Sequence, residues 1–173
     1  MDTSSTYSIR LARAPDLDFL AEIEIDAFVT LREVLGIEDD GRTVPREKLE
    51  HSMDAKLLLV AADHSDRPFA FLSAAELDGA VYVTEIDVAR RWQGKGVGRR
   101  LMQTIMEMAQ KRGASGITLT TDRYVPFNAP FYASLGLRTL DEDEMPAGLL
   151  DILRFEIEHS TDPKRRVAMA LWF

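Results

Sequence analysis

Apolar and polar positions along the chain fall into short runs with recognisable periods. Tyr7, Ile9 and Leu11 alternate with polar residues, as in a half-buried strand. Pro15 and Asp16 then open a helix whose apolar face is Leu20, Ile23, Ala27, Phe28 and Leu31, and which Gly36 ends. The stretch 37–43 is polar and irregular, and Pro45 suits the first turn of a second helix through Leu49 and Met53. Two apolar runs, 57–62 and 69–75, flank His64-Ser65-Asp66-Arg67-Pro68 and predict a hairpin. Gly79 turns the chain into a further strand beginning at Val81.

From Val81 to Lys111 the pattern is strand, glycine-rich loop and helix. The β-branched run 81–88 leads through Gln93-Gly94-Lys95-Gly96-Val97-Gly98 into Val97, Leu101, Ile105 and Met108 at helical spacing. Lys111 and Arg112 complement the negative end of that helix, and Gly113 suits its C-terminal cap. A strand at 117–121 is expected to lie parallel to the one before it, because a helix crosses between them. Asn128 and Pro130 begin a short helix ended by Gly136, and 137–140 reads as a sixth strand. Leu150, Leu153 and Ile157 mark one face of a helix at 149–157, and Asp162-Pro163 leads to an apolar last strand, 167–173. Successive strands followed by a strand–helix–strand unit predict an α+β, sandwich-like fold with a mixed sheet of about seven strands. With no repeat or linker, residues 1–173 are expected to form a single domain.

Composition narrows the chemistry. Of 173 residues, 46% are hydrophobic and 29% charged, as in an ordinary globular protein. There is no cysteine, which removes a disulfide framework, a thiolate metal site and a cysteine nucleophile, and agrees with a cytoplasmic protein. No apolar run is long enough to span a membrane, and the start lacks the features of a signal peptide. A formal net charge of −8 disfavours general nucleic-acid binding and favours cationic substrates. His51, His64 and His159 share no ligand spacing, so no metal site is expected. No Gly-x-Ser-x-Gly elbow is present to support a serine hydrolase.

Against this acidic background the loop stands out. Gly94, Gly96 and Gly98 sit where a helix begins, so backbone N–H groups and the positive end of the dipole converge on one place. Lys95, Arg99 and Arg100 oppose that dipole, a conflict that a bound phosphate would remove. The competing reading is a tight turn beside a solvated basic face. The spacing fits neither a Rossmann fingerprint, which would need glycine where Arg99 stands, nor a Walker A loop, because Lys95 is followed by Gly96.

Residues 93–98 resemble the Gln/Arg-x-x-Gly-x-Gly/Ala pyrophosphate loop of the GNAT superfamily of acyl-CoA-dependent N-acyltransferases, preceded here by Glu85-Ile86-Asp87-Val88. A second match, Asn128-Ala129-Pro130-Phe131-Tyr132-Ala133-Ser134-Leu135-Gly136-Leu137, is similar to the family's closing helix and following strand. The resemblance covers about residues 7–140. It implies a GNAT fold with splayed fourth and fifth strands, acetyl-CoA as co-substrate and no metal. It also implies cofactor contacts from Asp87, Val88, Ala89, Gln93, Gly94, Lys95, Gly96, Val97, Gly98, Arg99, Asn128 and Phe131, with the Val88 N–H as oxyanion donor.

By the same resemblance Tyr132 is the candidate general acid, its plain alternative being a core tyrosine with the hydroxyl at the surface. Glu85 is the candidate base or acceptor binder. Strand alternation puts it on one face with Asp87, about 7 Å along the strand, and the structural alternative is an ion pair with a neighbouring strand. For Asn128 the alternative is helix capping. The helix pair at the N-terminal end would flank the acceptor entrance, making Phe28, Glu33 and Asp39 candidate contacts. The expected function is acetyl transfer to a primary amine by direct attack, on a small molecule or an amine-bearing side chain, without nucleic-acid or membrane partners. The rival is an acyl-CoA-binding sensor that does not transfer. An apolar last strand at a sheet edge would offer a homodimer contact.

Overall fold

The computed structural model of the protein describes residues 6–173. Its elements are β1 (Tyr7–Leu11), α1 (Leu17–Leu35), α2 (Arg46–Asp54), β2 (Leu58–Asp63), β3 (Pro68–Leu77), β4 (Ala80–Val88), α3 (Val97–Lys111), β5 (Gly116–Asp122), α4 (Ala129–Ala133), β6 (Arg138–Thr139), α5 (Ala147–Glu158) and β7 (Arg166–Trp172). The sheet runs β1-β2-β3-β4-β5-β7-β6. β1, β2 and β3 pair antiparallel in sequence order, β4 pairs parallel with β5 through Val81–Ile117 and Tyr82–Thr118, and β7 returns antiparallel to β5. This is the mixed seven-stranded sheet expected. The last strand lies between β5 and the two-residue β6, whose Arg138 and Thr139 face Ala170 and Met169, so β7 is not the edge strand on which a homodimer contact was conditional.

By its internal contacts the chain divides into two compact units, one of the described residues up to Ala75 with Thr84–Ile105, the other of Glu76–Val83 with Met106–Phe173. In the first, the apolar stripe of α1 packs Leu17, Leu20 and Ile23, with Leu49 of α2, onto Leu58 and Val60 of β2 and Phe71 of β3. β2 is buried along nearly its whole length, which explains its unbroken apolar run. β1 is an edge strand, and Leu11 is 41% exposed despite its place in the alternation. Arg10 anchors this edge by pairing with Asp16 at 2.6 Å and Asp66 at 2.9 Å. Burial pushes the Asp16 carboxyl up, but Arg10 and the Arg13 N–H outweigh it and hold it below the usual range.

In the second unit Leu149 and Leu153 of α5 pack with Tyr82, Leu140, Ala168 and Ala170. The start of α5 is capped from a distance, since the Asp78 carboxylate accepts the N–H groups of Gly148 at 3.2 Å and Leu149 at 3.0 Å. Asp122, at the end of β5, accepts from the Tyr124 and Val125 N–H groups and pairs with Arg165, fixing the chain on its way to α4. The acidic run 141–144 forms a single tight turn in which Glu144 pairs with Arg138.

Candidate active site

Within the first unit the loop after β4 begins with a short helical turn, Arg90–Trp92, and Gln93. The Gln93 amide is fixed at both ends, its Nε2 donating to the Val88 carbonyl at 2.9 Å and its Oε1 accepting the Thr30 hydroxyl at 2.8 Å. Gly94 and Gly96 have φ of 71° and 80°, and a Cβ at either would meet nothing within 4 Å. The glycines therefore meet a backbone requirement and leave the space above them open. Val97 is buried and begins the 15-residue α3, so the N–H groups of its first turn point out of the helix end.

The basic residues here have a further explanation beside an anion. Phe69 and Trp92 stack with centroids 4.0 Å apart, Lys95 lies 5.4 Å and Arg91 5.7 Å from the Trp92 ring, and Arg100 lies 4.8 Å from the Tyr7 ring. Ring faces thus share in offsetting cations placed against the helix dipole. At the strand end, the Ala89 N–H donates to the Phe69 carbonyl and the Ala89 carbonyl accepts from Trp92. This holds the junction between β4 and the loop in register with β3.

The same unit gathers three carboxylates. Glu24 of α1 and Glu85 and Asp87 of β4 each place an oxygen within 4.8 Å of the others. Glu24 is 6% exposed, and both its oxygens receive the Val44 N–H, at 2.9 and 3.0 Å. Burial, opposed by that hydrogen bond and helped by Glu85, raises Glu24 to about 7. Burial, the charges of Glu85 and Glu24, and a hydrogen bond with Glu85 push Asp87 well above the usual carboxylate range. Acids this close disfavour one another's ionised forms, and in the folded chain this adds to burial in favouring the protonated forms of Glu24 and Asp87. Glu24 is absent from the sequence-based candidates. Its signal was a carboxylate inside the apolar stripe, four residues after Leu20 and four before Phe28.

The N-terminal entrance candidates have structural engagements. Phe28 lies where a Cβ on Gly41 would meet its ring at 2.7 Å, Glu33 is 3.7 Å from Arg90, and Asp39 accepts the Gly41 N–H.

In the second unit Asn128 stands at the N-terminal cap position of α4, and its side chain makes no capping hydrogen bond there. Tyr132 is 7% exposed, its ring edge-on to Phe131 at 5.2 Å. Its backbone is fixed on both sides, the N–H donating to the Asn128 carbonyl and the carbonyl accepting from Leu135 and Leu137.

Residues 17–137 match the Acetyltransferase (GNAT) family, and the chain belongs to that family. It is similar to the mycothiol acetyltransferase of Renibacterium salmoninarum, with 34% identity over 104 residues, 56% of this chain and 30% of that protein. The match therefore takes in less than a third of that relative's length. Among solved structures the fold is similar to N-acetylglutamate synthase from Neisseria gonorrhoeae complexed with coenzyme A and N-acetyl-glutamate, with a TM-score of 0.72, 19% identity, and coverage of 98% of this chain and 36% of that one. It is equally similar to PaiA N-acetyltransferase from Thermoplasma acidophilum in complex with coenzyme A, with a TM-score of 0.72, 15% identity, and coverage of 98% and 100%. At these identities the structural likeness is one of fold.

Proposed function

We propose that this chain is an N-acetyltransferase, working as one acyltransferase domain, that moves an acetyl group from acetyl-CoA to a primary amine within a ternary complex. The observation that carries the reading is the loop 93–98, where two left-handed glycines under open space lead into the first turn of α3. Gln93, Gly94, Lys95, Gly96, Val97, Gly98 and Arg99 would hold the diphosphate. Asp87, Val88, Ala89, Asn128 and Phe131 would hold the pantetheine arm, following the family's pattern.

The thioester supplies an activated acyl carbon. Glu85 takes a proton from the incoming ammonium, and the neutral nitrogen then forms a C–N bond as the C–S bond breaks. The Val88 N–H is assigned to the oxyanion, Tyr132 gives its proton to the departing thiolate, and the second proton lost by the acylated nitrogen returns to the tyrosine oxygen, leaving the amide, the free thiol and a protonated Glu85. Because the chain has no cysteine, a cysteinyl acyl-enzyme is excluded, which favours direct transfer. The acidic balance of the chain favours a cationic acceptor, either a small amine or an amine-bearing side chain.

Calorimetry with acetyl-CoA, followed by thiol-release assays against a panel of amines, tests the reading. Binding together with amine-dependent release of CoA is expected. Binding with no release for any amine would replace catalysis with a sensing role, and no binding would overturn the reading altogether.

A further inference from the structure

Trp92 stands just before the glycines of the loop, and packing fixes its ring. The ring stacks on Phe69 with centroids 4.0 Å apart and planes 14° from parallel, and Tyr7 lies edge-on to both. Phe69 is buried in β3, so the stack is anchored in the sheet. The indole N–H is buried as well, and among the described residues it has no hydrogen-bond partner. A phenylalanine here would stack on Phe69 without burying a polar group, so the indole carries a cost. What it offers over phenyl is a stronger negative face for a cation. Lys95 lies over this ring at 5.4 Å and Arg91 at 5.7 Å, while Arg100 lies over Tyr7.

We propose that Trp92 is a positioning residue of the acetyl-CoA site: its ring holds the Lys95 ammonium in place beside the loop before the diphosphate arrives. The proposal rests on the reading of residues 93–98 as the diphosphate site. Lys95 is exposed, and its neighbours Gly94 and Gly96 have no side chains to guide it. Left alone, its four-carbon stem samples many rotamers, and an anion that fixes one of them loses affinity to that ordering. The ring confines the ammonium in advance. It occupies one side of the group and leaves other N–H donors for phosphate oxygens. A carboxylate in the place of Trp92 could also hold Lys95, but it would cancel the charge that the anion is to meet. A neutral ring leaves that charge whole.

A double-mutant cycle read by calorimetry of acetyl-CoA binding to the full chain tests this. Trp92→Leu keeps an apolar side chain against Phe69 and removes the ring, and it should weaken binding by about fivefold. In a Lys95→Met background the same change should alter affinity by less than about twofold, a dependence on Lys95 that a purely structural role for Trp92 does not give. Trp92→Phe, which keeps the stack and a weaker face, should fall between, and its cycle serves if Trp92→Leu does not fold. Without ligand, proton NMR should show the Lys95 ε-methylene shifted upfield by the ring in the parent protein and at the ordinary lysine position in Trp92→Leu. Equal losses with and without Lys95, or an unshifted methylene in the parent protein, would overturn the proposal. Full affinity in Lys95→Met with the methylene of the parent protein still upfield would overturn it too, and would place the error in the reading of the loop rather than in the ring contact.

Discussion

Tyr132 and Glu24 are both nearly inaccessible side chains, yet they make different demands on an experiment. Tyr132→Phe keeps the ring that packs beside Phe131 and removes only the hydroxyl. If that hydroxyl protonates the thiolate, kcat should fall by about 100-fold or more while calorimetric affinity for CoA stays within about twofold. Glu24 bears on stability. Its carboxyl rises from 4.5 to about 7 in the folded state, so folding favours the protonated form. The stability this gives is fully present below pH 4.5, is lost as pH rises toward about 7, and changes no further above that. The total is on the order of 3 kcal/mol at most. Melting curves should show the parent protein losing more stability between pH 5 and pH 8 than Glu24→Gln does, and equal losses in the two would refute this assignment.

At the scale of elements, the β4–loop–α3 unit could be read from the sequence because its determinants are local. Glycines at the turn, alternation before it and helical spacing after it all lie within one stretch of chain. Gly96→Ala tests how far that local logic reaches. A Cβ there meets no neighbour, so the cost comes from the backbone at a φ of 80°, about 1–2 kcal/mol. A melting temperature lower by a few degrees, with weaker acetyl-CoA binding, is the expected result, and unchanged binding would argue against the loop as the diphosphate site. The acid cluster could not be read in the same way. Glu24 meets Val44 twenty residues on and the β4 acids about sixty residues on, and no local period encodes such pairings. The Asp78 cap on α5 was hidden for the same reason, its partners Gly148 and Leu149 lying some seventy residues away. The basic residues of the loop show a third kind of gap. The sequence offered a bound anion or a solvated face to account for them, whereas the folded chain also supplies the rings of Trp92 and Tyr7.

For the molecule as a whole, charge is the property that reaches furthest. A net charge of −8 should draw cationic acceptors toward the protein and be screened by salt. With a dicationic amine as acceptor, kcat/KM should decline several-fold from low salt to about 0.5 M, where the screening length is about 4 Å. A monoamine should decline less, and equal declines would remove steering from the account. Among the described residues no helix is long and apolar enough to cross a membrane.

One small feature also bears on which sequences can build this loop. Position 93 must present an N–H to the carbonyl that ends β4, and glutamine does so while turning its oxygen to Thr30. Arginine, the other residue in the family's pattern, also carries donors, whereas glutamate would set one lone pair against another. In this chain the residue at the head of the loop therefore ties the loop to the preceding strand through its own side chain, and Gln93→Glu should lower the melting temperature, whereas Gln93→Arg should lower it less.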